Sequence, residues 1–317
     1  MDSKEVSRED MVRFAENGVG NYIRLNREAR NYSQRDICDG ICSASKFSRV
    51  ELGERAVDYQ TIEAFLGRMK MDRASYEFVL DAEDAVGYKH RQKIENLITK
   101  KKYEQAEEEL KIYAEKYGTK EIQGQFYLFQ SARLEREKEK PDKEKMKKLF
   151  QDALTVTAKD YQCKLDEREI LSNLELECIT EITHCIENSA EREEEQQKLY
   201  QYFQWSKERE GFFAFAFRAA MLYYAETLYE NGKFDLCIQI CDEVLEVYYS
   251  TSKLGDRGKV FFFRAKARKA RGREEDRELY IRDLRIAYNV FSFYDGEEGI
   301  MKKKIEEEGE EIWPFTR

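Results

Sequence analysis

The sequence predicts an all-α protein in which an N-terminal helix-turn-helix domain precedes an α-solenoid of about five helical hairpins. Three observations carry this. The 317 residues include only 2 prolines, and 38% are charged against a usual share of about 25%, which favours long exposed helices over β-sandwiches. Polar turns recur about 40–48 residues apart along the last three quarters of the chain. The segment from Asn21 to Asp72 has a different texture, with short helices broken by tight turns. Two domains are expected, 1–72 and 73–317.

In the first segment, Asn21–Arg30 reads as one short helix, with Asn31 at the left-handed position that ends it. Ser33 offers a capping hydroxyl to a second helix, Gln34–Asp39, which Gly40-Ile41-Cys42 stops. Ser43 caps a third helix running to Glu51, and Leu52-Gly53-Glu54-Arg55 ends it. Ile62, Phe65, Leu66 and Met69 give a fourth helix its apolar stripe.

The remaining turns are Thr99–Lys102, Glu139–Asp142, Asn188–Ala190, Asn231–Lys233 and Gly272-Arg273. Each is followed by recurring apolar positions, as in Tyr103, Ala106, Leu110 and Tyr113, or Phe234, Cys237, Ile238, Cys241, Val244 and Leu245. A single hairpin has too little core to stand alone, so stacking is expected. The first helices of the pairs should cover about 119–137, 166–186, 211–230 and 256–271. One pair is tetratricopeptide-like: Leu222, Tyr224-Ala225 and Tyr229 lead into Asn231-Gly232-Lys233-Phe234, then Cys237 and Leu245. The Trp-Leu-Gly consensus is missing, and the period exceeds the usual 34 or so residues, so the repeats are degenerate.

Net charge is −9, which excludes a uniformly basic coat but not one basic face. Residues 1–20 hold no apolar signal-like core, and no stretch is apolar enough to span a membrane, so a cytoplasmic protein without membrane association is expected. The seven cysteines read as reduced core residues rather than a metal site or disulfide framework. The acidic runs Glu191–Glu195 and Glu306–Glu311 read as solvated. No phosphate loop, zinc-protease or nucleophile-elbow motif occurs, so no catalytic residue, cofactor or metal is assigned and no enzyme activity is expected.

The head resembles the Xre-type helix-turn-helix domain, whose second helix opens with Ser-Gln and whose third carries Ser-Arg-x-Glu-x-Gly-x-Arg. Those elements stand here as Ser33-Gln34 and Ser48-Arg49-Val50-Glu51-Leu52-Gly53-Glu54-Arg55. The resemblance implies binding to double-stranded DNA with the start of the third helix in the major groove. Ser43, Ala44, Ser45 and Lys46 would face bases or flanking phosphates, and Arg49 would take guanine. Gln34 would clamp a phosphate, Arg27 and Glu51 would form a structural ion pair, and Ile37, Phe47 and Val50 would be core.

With about 240 residues of repeats following it, and with Ile41-Cys42-Ser43, Tyr103-Glu104-Gln105-Ala106-Glu107 and Gln125-Phe126 in place, the chain resembles the RRNPP peptide-pheromone receptor regulators of Gram-positive bacteria. This implies a homodimeric transcription regulator of quorum-sensing type, whose repeats bind a short linear peptide and alter the presentation of its DNA-reading heads. Candidate peptide-holding residues are Gln130, Arg133, Asn173, Glu177, Arg218, Phe262 and Lys266, with Asn173 foremost because its amide both donates and accepts. The alternative is a constitutive DNA-binding regulator whose repeats dock a protein.

Overall fold

A computed structural model describes residues 8–71, 82–118, 121–166, 169–207, 214–249, 257–294 and 299–309. All regular structure among them is helical. The head holds α1 (Arg8–Ala29), α2 (Gln34–Cys38), α3 (Ala44–Glu51) and α4 (Tyr59–Arg68). There follow α5 (Ala82–Thr99), α6 (Tyr103–Tyr117), α7 (Glu121–Arg136), α8 (Lys143–Thr155), α9 (Tyr161–Asp166), α10 (Asn173–His184), α11 (Ser189–Lys207), α12 (Ala214–Glu230), α13 (Phe234–Tyr249), α14 (Arg257–Arg271), α15 (Asp276–Tyr294) and α16 (Ile300–Glu308). The fold class is the expected one, a helix-turn-helix head followed by tandem helical hairpins. The expected boundary between 72 and 73 lies outside the described residues.

Two compact units make up the chain. One comprises residues 1–185 with 204–213, the other 186–203 with 214–317. Head and first repeats thus share a unit.

Local chemistry sets the head's turns as the sequence implies. Asn31 is left-handed at φ 56°, and Ser33 closes a reciprocal capping box with Asp36. The Ser43 hydroxyl accepts from the Lys46 N–H, and Asp58 caps α4 through Thr61. The first helix is longer than expected, starting at Arg8 instead of Asn21. Gly20 lies within it where α1 passes α3 so closely that a Cβ would sit 2.1 Å from the Val50 carbonyl oxygen.

The repeats begin with α5–α6 and α7–α8; the expected turns at Glu139–Asp142, Asn231–Lys233 and Gly272-Arg273 fall between helices, whereas those at Thr99–Lys102 and Asn188–Ala190 overlap the end of α5 and the start of α11. The helix expected over 166–186 is broken, with α10 beginning only at Asn173. Tertiary packing overrides local propensity there: Ile170 leaves the repeat to join the head's core with Ile37, Phe47, Phe65 and Leu66, and Ser172 then caps α10 in a box with Glu175.

In the second unit, α12 and α13 pack through Tyr224, Ala225, Cys237 and Leu245, all buried, around the turn at Gly232 (φ 72°). The acidic run at 191–195 is not wholly solvated. Glu193 is buried, pairs with Lys233 and accepts from Asn231 Nδ2, because it must satisfy the turn that joins α12 to α13. Cys38, Cys178, Cys185, Cys237 and Cys241 are buried, and burial raises the thiols of Cys38, Cys178 and Cys185.

One buried side chain of the head is bonded deep into the repeats. Arg68 is 1% exposed and donates to the Ile37 carbonyl (3.3 Å), the Asp39 carbonyl, the Thr157 carbonyl (3.1 Å) and Glu175 Oε1 (2.9 Å). Gly40, at φ 72°, lies against the same Thr157 carbonyl, with no room for a Cβ. Burial alone would raise the Glu175 carboxyl, but Arg68 and the Ser172 N–H outweigh it and hold the group below its ordinary range. The pair therefore contributes stability above about pH 4.5, lost as pH falls through the lowered value. Arg68→Met should destabilise the folded chain by about 3–5 kcal/mol at neutral pH by leaving a buried, unpaired carboxylate. Adding Glu175→Gln should recover part of that loss. Urea denaturation of parent, single and double variants measures both effects.

Candidate functional site

The DNA-facing candidate is built on α3. Its inner face is anchored: Phe47 and Val50 are buried, and the Phe47 and Phe65 rings meet edge-on at 4.7 Å. Arg27 holds Glu51 with both arms, Nε to Oε1 at 2.6 Å and Nη2 to Oε2 at 3.1 Å, and its third donor reaches the Tyr32 carbonyl at 2.9 Å. The Glu51 contact raises the Arg27 guanidinium further above its ordinary value, against the effect of burial. The structural pair implied by the resemblance is thus present.

The outer face of α3 carries the expected residues. Ser43, Ala44, Ser45 and Arg49 are exposed, Lys46 is partly so, and Arg49 makes only a loose 3.7 Å contact with Glu54. Gln34 stands at the start of α2, but its Nε2 donates to Glu51 Oε2 at 2.7 Å, making it a third member of the Arg27–Glu51 group. One N–H of its amide is engaged internally, so a phosphate would meet its second amide N–H or the backbone N–H groups at the start of α2.

The peptide candidates divide between the two units. Gln130 and Arg133 on α7 belong to the first, with Asn173 and Glu177 on α10. Gln130 is 2% exposed, and its Oε1 accepts from Arg133 Nη1 at 3.0 Å. Asn173 is the first residue of α10 and donates through Nδ2 to Glu177 one turn on. Arg136 pairs with Glu181 beyond it. Burial drives the Glu177 carboxyl up to about 7, with Glu181 and Glu95 adding to the rise and Arg133 and Asn173 opposing it. The four expected residues therefore form part of one network with Arg136, Glu181 and Glu95.

In the second unit, Arg218 on α12 lies over the Tyr248 ring at 4.7 Å and faces exposed Phe215 at 5.9 Å. Lys266 on α14 stands 4.4 Å above the Tyr229 ring and 5.6 Å from that of Phe262, which is buried. These three cationic and aromatic residues share a unit, with Lys266 and Phe262 in direct contact.

Sequence reasoning missed Arg68 and Glu175. The readable signals were an arginine inside the stripe Phe65-Leu66-x-x-Met69 and the Ser-x-x-Glu box at 172–175.

Glu177 makes a prediction. Its raised carboxyl binds a proton in the folded chain that the unfolded chain has lost, so stability should fall as pH rises from about 4.5 to about 7. Glu177→Gln should flatten that part of the profile, while the acid-side loss due to Glu175 remains. Thermal melts across this pH range check it.

No family model and no curated protein matches the chain. Solved structures do. The apo form of the competence regulator ComR from Streptococcus vestibularis is 13% identical, covering 94% of this chain and 98% of its own, with a TM-score of 0.51. ComR from S. thermophilus in complex with DNA and its signalling peptide ComS is 12% identical over 92% and 98%, with a TM-score of 0.46. Bacillus thuringiensis PlcR in complex with the peptide PapR7 and DNA is 14% identical over 92% and 98%, with a TM-score of 0.44. The likeness to the ComR apo form shows that this chain shares that regulator's fold, a helix-turn-helix head joined to tandem helical repeats.

Proposed function

We propose that the chain is an RRNPP-type transcription regulator: a cytoplasmic homodimer in which residues 1–72 read double-stranded DNA and residues 73–317 sense a short linear peptide. Binding, not catalysis, is its activity. The observation that carries this reading is the first turn of α10. Asn173, the foremost peptide candidate, and Glu177, another, flank Glu175, the carboxylate that holds Arg68 of the head. A ligand that reorganises Asn173 acts within one helical turn of the bond that fixes the head. Such a ligand shifts how the head is held by the difference in its affinity for the two arrangements.

One N–H of Asn173 goes to Glu177, so a peptide backbone would meet its second N–H and its Oδ1. Gln130 and Arg133 supply further polar groups on α7, and Arg218, Phe262 and Lys266 supply cationic and aromatic groups in the second unit. On α3, Arg49 is the base-reading candidate and Ser43, Ala44, Ser45 and Lys46 lie beside it.

Peptides co-purifying with natively expressed protein, identified by mass spectrometry, provide the titrant. Asn173→Ala should weaken calorimetric affinity for that peptide about tenfold or more, matching loss of roughly 1.5–3 kcal/mol. Arg49→Ala should lose about 1–3 kcal/mol of DNA affinity and relax preference at one base pair. A chain that retains no peptide but captures a folded protein through its repeats would favour the docking alternative. Unchanged peptide affinity in Asn173→Ala would remove that residue from the site.

A further inference from the structure

The chain is acidic overall, yet one face of its first repeat is strongly basic. Lys89, Lys93 and Asn96 stand on α5 at positions i, i+4 and i+7, along one side of the helix, and Lys100 follows directly after its last residue, Thr99. Lys102 immediately precedes the next helix, and the five side chains, with Gln92 and Leu97, line a shallow cleft of about 370 Å³. All four lysines are exposed. The acidic group paired with the row is Glu109 of α6, 2.6 Å from Lys93, leaving a net positive surface. An excess of cations here, on a chain of net charge −9, marks a surface complementary to a polyanion.

Position in the fold names the polyanion. The Tyr88 ring packs edge-on against that of Tyr59, the first residue of α4, at 5.2 Å, and Arg91 faces Glu63 of α4 at 3.9 Å. Lys89 follows Tyr88 directly. The lysine row therefore starts one residue from an α5–α4 contact, on the element packed directly against the head. At about 1.5 Å per residue, Lys89 to Lys100 spans roughly 16 Å. A duplex presents one charge per about 1.7 Å of axis, so a row of that length faces several phosphates.

We propose that the α5 lysine face is a second DNA contact, gripping the phosphate backbone that flanks the sequence read by α3. It adds affinity and salt dependence without reading bases. The proposal rests on the DNA-reading assignment of the head, and its test separates the two.

The probe is a duplex selected by the full chain from a random pool, used at two lengths: trimmed to the protected bases, and extended by about one helical turn of mixed sequence on each side. The variant replaces Lys89, Lys93, Lys100 and Lys102 with Gln, and its melting temperature verifies the fold. On the extended duplex, the variant should bind about tenfold or more weaker at 0.1 M salt, with a log–log salt slope shallower by about two to three. On the trimmed duplex, parent and variant should bind much more alike. Equal affinities and slopes on the extended duplex would overturn the proposal while leaving the head's role intact. A variant that loses binding to vesicles containing anionic lipid, but not to DNA, would overturn it in favour of a membrane surface. A parent that enriches no duplex would sink the reading of the head itself, and this face with it.

Discussion

A buried guanidinium on the head reaches into the repeats, and much of the first unit is arranged to accommodate it. Arg68 is buried, so its terminal donors need acceptors in protein, and only its Nε–H goes without one. It finds three backbone carbonyls and one carboxylate, drawn from the end of α2, the turn beyond α8 and the first turn of α10. Each acceptor imposes its own requirement. The Thr157 carbonyl can stand close to the head only because Gly40 has no side chain, and Glu175 can stay ionised only because the capping box and Arg68 offset its burial. The α2–α3 turn, which aims the candidate base-reading residues, is thereby held by the same bonds that fix the repeats against the head. Such a lock adds geometric definition more than net stability, since its desolvation cost is large.

The second unit uses the same chemistry for a different purpose. Asp283 on α15 is fully buried and holds both Arg264 and Arg268 of α14, while Arg264 also reaches Asp242 of α13. Three consecutive helices are thus registered by charge as well as by apolar packing. Arg271 repeats the pattern at the turn with Asp276 and Asp235. The high charged fraction of the sequence is therefore not only a solvated coat.

Local rules made the head legible. Asn31, Ser33 and Ser43 act on backbone groups within three or four residues of themselves, so their roles could be read without knowing the tertiary structure, and the Arg27–Glu51 pair came with the helix-turn-helix resemblance. The break before α10 was not legible. Ile170-Leu171 continues an apolar helical pattern, and only the head's core, distant in sequence, explains why the chain runs extended there. Arg68 and Glu193 were hidden for a related reason: a charged residue reads as surface until its partner, 107 or 40 residues away, is known. In the candidate peptide site, residue types were readable but their mutual bonds were not. Asn173 was expected to offer donor and acceptor together, whereas one of its donors already belongs to Glu177.

That last difference changes the energetics of recognition. Within the first unit Gln130 bonds Arg133, Asn173 bonds Glu177, and Arg136 bonds Glu181, so the polar groups of the candidate site already satisfy one another. A peptide entering such a network does not add its hydrogen bonds to an empty surface; it exchanges them for bonds already made, and only the net difference contributes. Gross hydrogen-bond count would then say little about affinity. What discriminates peptides is whether a sequence replaces every bond it displaces, because a buried group left unpaired costs about 1–3 kcal/mol. Glu177 sharpens this selection. Its carboxyl sits near 7, at the edge of neutrality, so a ligand that offers it a cation stabilises the charged form and one that offers an acceptor stabilises the protonated form.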